Sequence, residues 1–176
     1  TMVPEQIDRV EKMISNILGF VRSKKKTTGV TDISAILKEV VELMEVHARK
    51  AQVKIIYNPP PAPVSLQCDS DGLLQAFTNL ALNGIQAMTS GGTLELSLAQ
   101  TDGQITVSIR DTGSGISPEN LSRIYSPFFT TKETGVGLGL SIVQRIVSEH
   151  HGEIKIESEV GKGTTFILSL ATTPLV

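Results

Sequence analysis

Asp111 closes the alternating run ITVSIRD and is followed by Gly113 and Gly115. A carboxylate placed there can accept a hydrogen bond from the exocyclic amine of a nucleobase. Adenine and cytosine offer such an amine. Guanine in the same orientation sets a carbonyl against the carboxylate and leaves a buried polar group unpaired. The two glycines allow positive φ and the close approach of a flat ligand. Taken alone, Asp-x-Gly is also an ordinary turn.

Gly135, Gly137 and Gly139 lead directly into the apolar-periodic segment LGLSIVQRIVSEH. That order places free backbone amides and the positive end of a helix dipole where an anion can sit. It is not a dinucleotide fingerprint, because the third glycine falls one residue early and no strand precedes it. Nor is it a P-loop, since no Gly-Lys-Ser/Thr follows. Lys132 stands near enough in sequence to reach a phosphate. Between the glycine groups, Phe128 and Phe129 read as the anchor that docks a mobile lid.

Upstream, DSDGLLQAFTNLALNGIQAM reads as a helix over 69–89 with an aspartate cap. Leu74, Phe77, Ala81, Ile85 and Met88 form its apolar stripe, with Gln75, Asn79, Asn83 and Gln86 on the opposite side. One reading of the polar side is a solvated strip. The other is a ligand face: asparagine is a poor helix former, and its amide oxygen is a hard neutral ligand suited to Mg²⁺ shared with phosphates.

These groups need a scaffold, and the rest of the chain supplies one. The 176 residues are 40% hydrophobic and 19% charged with a net charge of −2. That suffices for one good core and an accessory element. So neutral a balance gives no bulk attraction for nucleic acid or a membrane surface. No apolar run reaches the roughly 20 residues of a membrane span. Cys68 is the single cysteine, which excludes an internal disulfide framework and a multi-cysteine metal site. With no signal-peptide pattern at the start, a reducing, cytoplasmic setting is the expectation.

Residues 4–24 read as one helix, with Ile7, Val10, Ile14, Ile17 and Val21 at the seam spacing of a coiled coil or bundle. KTTGVTD reads as a linker. Thr31 or Asp32 then caps a helix to about Ala51, with Ile36, Leu37, Val40, Leu43, Met44 and His47 on one side. VKIIY and VSLQ read as strands around NPPPAP. TLELSLAQ and ITVSIRD form a hairpin about TDGQ, and GEIKIESE and TTFILSLA another about VGKG. Helices and hairpins segregate along the chain, so the expected class is α+β with a mixed sheet.

Taken in order, these motifs resemble the catalytic, ATP-binding domain of two-component sensor histidine kinases (the GHKL, or Bergerat, fold). That domain would span 27–176, preceded over 1–26 by part of the second helix of the dimerisation and phosphotransfer bundle. NLALNGIQAM resembles the N box, DTGSGI the first glycine box, PFFTTK the F box, GVGLGLSIV the phosphate-binding glycine box and GKGTTF the last box. The resemblance implies a two-layer α/β sandwich, a mixed five-stranded sheet with three helices on one face. It implies ATP or ADP and Mg²⁺ as ligands, with Asn83 on the metal, Asn79 one turn earlier and Asp111 on the adenine amine. Thr164 would support the adenine end through a water. Gly113, Gly115, Ile116, Thr130, Thr131, Lys132, Gly135, Val136, Gly137, Leu138, Gly139 and Leu140 would line the nucleotide, and Asn79 and Lys132 would serve the transfer itself.

Three positions depart from the family pattern: Gly84 and Val136 replace an alanine and a threonine or serine, and His151 replaces a glycine. Small changes in nucleotide contact are expected from the first two. Asn79 stands where hydrolytic relatives carry a glutamate base, which disfavours attack by water. None of His47, His150 and His151 sits in the family's phosphoacceptor segment, so the acceptor histidine would lie outside this chain. The resemblance thus implies an ATP-dependent protein histidine kinase fragment, cytoplasmic or the cytoplasmic part of a membrane-anchored sensor. Its partners would be a bundle histidine and a response-regulator receiver domain, and the full-length protein would be a homodimer. A nucleotide-gated binding module and a serine kinase of the anti-sigma-factor type are the alternatives.

Overall fold

A computed structural model describes residues 28–132 and 135–172. The helix expected over 4–24 lies outside the described residues. Strand β1 (Thr28–Asp32) pairs antiparallel with β3 (Ser65–Asp69), so KTTGVTD is no linker: its Thr28–Asp32 portion forms one side of a two-stranded ribbon. Its β-branched threonines and valine suit a pleated ribbon. The partner strand lies more than thirty residues away.

Asp32 ends β1 and caps α1 (Ile33–Lys50), its carboxylate accepting from the Ser34 amide at 3.0 Å and the Val64 amide at 3.0 Å. Buried Ile33, Ile36, Leu37, Val40, Met44 and Ala48 form the inner stripe of α1. Leu43 and His47 are exposed, contrary to the expected side. The stripe runs through Ala48 one turn past Met44, which leaves Leu43 and His47 on its flank.

A second ribbon-to-helix junction follows. Asp69 ends β3 and caps α2 (Ser70–Gln86), accepting from the Gly72 amide at 3.2 Å. Its inner face is Leu73, Ala76, Phe77, Leu80, Ala81, Gly84 and Ile85, and Leu74 lies half-buried at the margin.

The main sheet has the order β2-β4-β5-β7-β6, from β2 (Val53–Tyr57), β4 (Gly92–Thr101), β5 (Gln104–Asp111), β6 (Glu153–Glu159) and β7 (Gly163–Ala171). Only β2 and β4 run parallel; the other pairs are antiparallel. α1, α2 and α4 (Gly139–Glu149) form the helical layer over this sheet, while α3 (Pro118–Leu121) is a single turn. The expected sandwich is therefore present, with the β1–β3 ribbon added to it.

Side chains alternate faces along each strand, and the core-facing row is apolar: Leu94 and Leu96 on β4, Ile105, Val107 and Ile109 on β5, Phe166, Leu168 and Leu170 on β7. The same parity places Asp111 at the end of β5 and Thr164 at the start of β7 in core-facing positions. The polar residues occupy inward slots.

His150 locks the two functional helices together. Its Nδ1 donates to the Ile146 carbonyl at 2.7 Å, which leaves Nε2 to accept from the Asp69 amide at 3.0 Å. The end of α4 is thus bonded to the start of α2. The following residue, His151, has φ of +53°, a left-handed backbone at the position where the family pattern has glycine. Replacing His150 with Ala leaves the Asp69 amide without its acceptor. We expect that variant to lose about 1–3 kcal/mol of unfolding free energy in urea denaturation.

Candidate functional site

The C-terminal end of α2, its half-buried outer face, the end of β5 and the start of α4 converge on one corner of the sandwich. Asn79 and Asn83 are half-buried, which sets aside the solvated-strip reading. Asn79 Nδ2 lies 3.5 Å from the Gly139 carbonyl oxygen, across to the first residue of α4. Asn83 Oδ1 accepts from Lys132 Nζ at 3.2 Å, and the same ammonium donates to Gln86 Oε1 at 2.7 Å.

Asp111 is 5% exposed. Its Oδ1 accepts from the Gly113 amide at 2.8 Å, so the carboxylate closes its own turn. The turn reading is thus realised by this residue. Burial pushes the Asp111 carboxyl above the usual carboxylate range, against the lowering effect of bonds from the Gly113 and Thr164 amides and the attraction of Lys132. Burial lowers the Lys132 ammonium, and Asp111 opposes that shift. A partly desolvated carboxylate and ammonium therefore face the same space.

Two glycines of the first box are required by contact. A Cβ on Gly113 would stand 2.6 Å from the Ala87 carbonyl oxygen, at the end of α2. Gly115 has φ of +70° and abuts the Glu159 carbonyl at the end of β6. Gly84, where the family pattern has alanine, lies under Leu94 and Asp111; a Cβ there would meet Leu94 Cδ1 at 2.8 Å. The leucine fills the space of the missing methyl.

Gly137, at φ +74°, presses on the Phe128 backbone, and its carbonyl accepts from the Phe128 amide at 2.8 Å. The ring of Phe128 is 67% exposed and does not pin the loop, contrary to expectation. Its own φ of +66° turns the side chain outward, leaving the backbone as the anchor. Phe129 is half-buried with the Arg123 guanidinium 4.6 Å from its ring centroid. Leu138 precedes α4 with no side-chain cap, so among the described residues no side chain caps the first amides of that helix.

Among the other expected lining residues, Thr130 and Thr131 are exposed, and Thr130 Oγ1 accepts from the Lys132 amide at 3.1 Å. Gly135, Val136, Gly139 and Leu140 are half-buried beside the loop, while Leu138 is itself a core residue and can offer a ligand only its backbone. Ile116 packs against the core, its amide bonded to Ser158 Oγ at 2.8 Å. Gln86 stood on the expected polar side of its helix without an individual role, and Ser158 was not singled out by sequence reasoning. The period-two step from Ile154 and Ile156 would have found Ser158.

A half-open α/β sandwich with a buried carboxylate, a cation over an asparagine and an uncapped helix start defines a nucleotide-binding domain. Comparison with known proteins agrees. Residues 68–174 match the family described as histidine kinase-, DNA gyrase B-, and HSP90-like ATPase, and the chain belongs to it. It is 38% identical to sporulation kinase C of Bacillus subtilis over 92% of this chain, and 31% identical to sensor histidine kinase ZraS of Escherichia coli over 96%. The chain spans 38% and 36% of those relatives' lengths. Full-length ShkA in complex with AMPPNP superimposes with a TM-score of 0.82 at 28% identity, over 96% of this chain and 37% of that one. The catalytic domain of histidine kinase ThkA gives 0.72 at 30%, over 84% of this chain and 97% of that one.

Asp111→Asn removes the charged acceptor from the pocket. We expect ADP affinity to fall by about 1–3 kcal/mol in calorimetry, the loss of a charge-assisted hydrogen bond. The raised carboxyl also fixes a sign. A group whose folded pKa lies above its unfolded value stabilises at low pH and loses that contribution as pH rises through the folded pKa. As pH rises from roughly 4, the free-carboxylate range, the unfolding free energy of the ligand-free wild type should therefore decline relative to Asp111→Asn.

Proposed function

We propose that this chain is the ATP-binding catalytic part of a sensor histidine kinase, presenting the γ-phosphate of Mg-ATP to a histidine supplied by a separate bundle segment. The observation that carries this reading is the buried Asp111 carboxylate, held by backbone amides in a core slot beside two contact-required glycines. Such a group is costly to bury unless donors meet it, and a carboxylate bonded by two backbone amides keeps acceptor capacity for a ligand's amine. The AMPPNP-bound relative supports the same ligand class.

Each expected residue takes a role in this reading. Asp111 receives the adenine amine, with Gly113, Gly115 and Ile116 forming the wall and Thr164 beside it. The amides of Gly137, Leu138, Gly139 and Leu140 at the start of α4 receive phosphate oxygens, with Gly135, Val136, Thr130 and Thr131 around them. Asn83 is the residue that would hold Mg²⁺. Its Oδ1 already accepts the Lys132 ammonium, so the oxygen is oriented toward a cation. When bound, Mg²⁺ neutralises charge between phosphate oxygens. Asn79 crosses to Gly139 and keeps the metal helix and the phosphate helix in register. An amide cannot take a proton from water, so transfer to an external nucleophile is favoured over hydrolysis.

Lys132 moves from Gln86 and Asn83 to the terminal phosphate in this scheme. Lys132→Ala should then weaken a non-hydrolysable ATP analogue by about 1.5–3 kcal/mol while changing ADP affinity little. Paired titrations in calorimetry measure the difference.

The same reading makes the response-regulator receiver the final acceptor, as in the ThkA complex with its response regulator, which superimposes at a TM-score of 0.80 and 26% identity. The full-length protein would be a homodimer working in the cytoplasm. Incubating this chain with γ-³²P-ATP, Mg²⁺ and a separately supplied phosphoacceptor bundle should give acid-labile, base-stable label on the bundle. Acid-stable label would assign a hydroxyl acceptor. Nucleotide binding without any transfer would leave a binding module in place of a kinase.

A further inference from the structure

Strand pairing aligns four residues across the sheet at the end of its core-facing row. Leu94 of β4 stands opposite Asp111 of β5, Asp111 opposite Thr164 of β7, and Thr164 opposite Ser158 of β6. Directly opposed residues share a face with Cβ atoms about 4.5–5.5 Å apart. The Thr164 hydroxyl therefore has two neighbours, the Asp111 carboxylate on one side and Ser158 on the other. Thr164 is 4% exposed, so its proton must be placed within the protein or on a ligand.

Ser158 decides where that proton goes. Its Oγ accepts from the Ile116 amide at 2.8 Å and donates to the Gly163 carbonyl at 3.1 Å. A hydroxyl has one proton, so the 2.8 Å contact between Ser158 Oγ and Thr164 Oγ1 is then donated by Thr164. Thr164 thus turns its proton away from Asp111 and leaves that carboxylate's remaining lone pairs unoccupied by it.

We propose that Ser158 is a specificity-determining positioning residue of the base pocket. By taking the Thr164 proton it keeps Asp111 an unquenched acceptor, so the pocket selects a 6-amino over a 6-oxo purine. The inference rests on the nucleotide reading above and goes beyond it, because Ser158 itself touches no ligand. Without Ser158, the Thr164 hydroxyl turns and donates to the carboxylate. That fills one of the carboxylate's acceptor sites and partly neutralises it, so it holds a 6-amino group less well and repels a 6-oxo group less.

The test compares ADP and IDP binding by calorimetry for the wild type, Ser158→Ala, Ser158→Thr and the double variant Ser158→Ala with Thr164→Val. In Ser158→Ala the ADP-over-IDP preference should fall on the order of tenfold, the scale of one hydrogen bond. Ser158→Thr retains the hydroxyl and should retain the preference. The double variant has no wandering proton, so its preference should recover above that of Ser158→Ala. A general structural defect would weaken ADP and IDP alike and could not be repaired by a second substitution; that result overturns the assignment of Ser158. Wild-type protein that binds ADP without preferring it to IDP overturns it as well. Wild-type protein that binds neither nucleotide overturns the nucleotide reading, and the inference falls with it.

Discussion

A single buried carboxylate organises this domain. Asp111 stands where the next apolar side chain of β5 would be, directly behind Ile105, Val107 and Ile109. An ionised group in that slot must be surrounded by donors, and the local chain is arranged to provide them. The turn after β5 folds back so that the Gly113 amide reaches Oδ1. That fold is possible only because Gly113 lies against the Ala87 carbonyl and Gly163 against the Asp111 carbonyl, where a Cβ would clash with each oxygen. The glycines are consequences of the carboxylate, and the pocket beside it is a consequence of the glycines.

The second organising fact is that the corner around Lys132 and the start of α4 is closed by its own residues. Lys132 bonds Asn83 and Gln86, and Phe128 bonds Gly137 through the backbone. Each of these is an interaction that a polyanion and its metal ion would compete with or reinforce. Binding affinity is therefore a difference between two sets of hydrogen bonds, and changes at Gln86 act on it through the unliganded state.

Most of the scaffold was legible in the sequence because its periods are clean. Alternating runs became β4 through β7, and aspartate caps marked both long helices. What escaped was non-local. The Thr28–Asp32 strand has a partner more than thirty residues on and no apolar alternation strong enough to announce it. On α1, Leu43 and His47 fit the three-and-four spacing, yet the helix rolls to bury Ala48 instead. Adjacent phenylalanines suggested packing, but a left-handed backbone at Phe128 turned its ring to solvent. Motif residues Asn79, Asn83, Asp111 and Lys132 could be placed in one corner because their chemistry is specific. Ser158 could not, since a serine acquires meaning only from the neighbours that folding brings, and Gln86, though on the same polar side, gained its partner Lys132 only in the fold.

The β1–β3 ribbon has a mechanical consequence. Each strand runs without a spacer into a helix: Asp32 is both the last residue of β1 and the cap of α1, and Asp69 holds the same two positions for β3 and α2. The two caps lie at opposite ends of a five-residue register, Thr28 against Asp69 and Asp32 against Ser65. Leu66 and Cys68 of β3 are buried, so sliding β3 by a single residue would invert which of its side chains face the core. The ribbon thereby ties the root of the asparagine helix to β1 in one register.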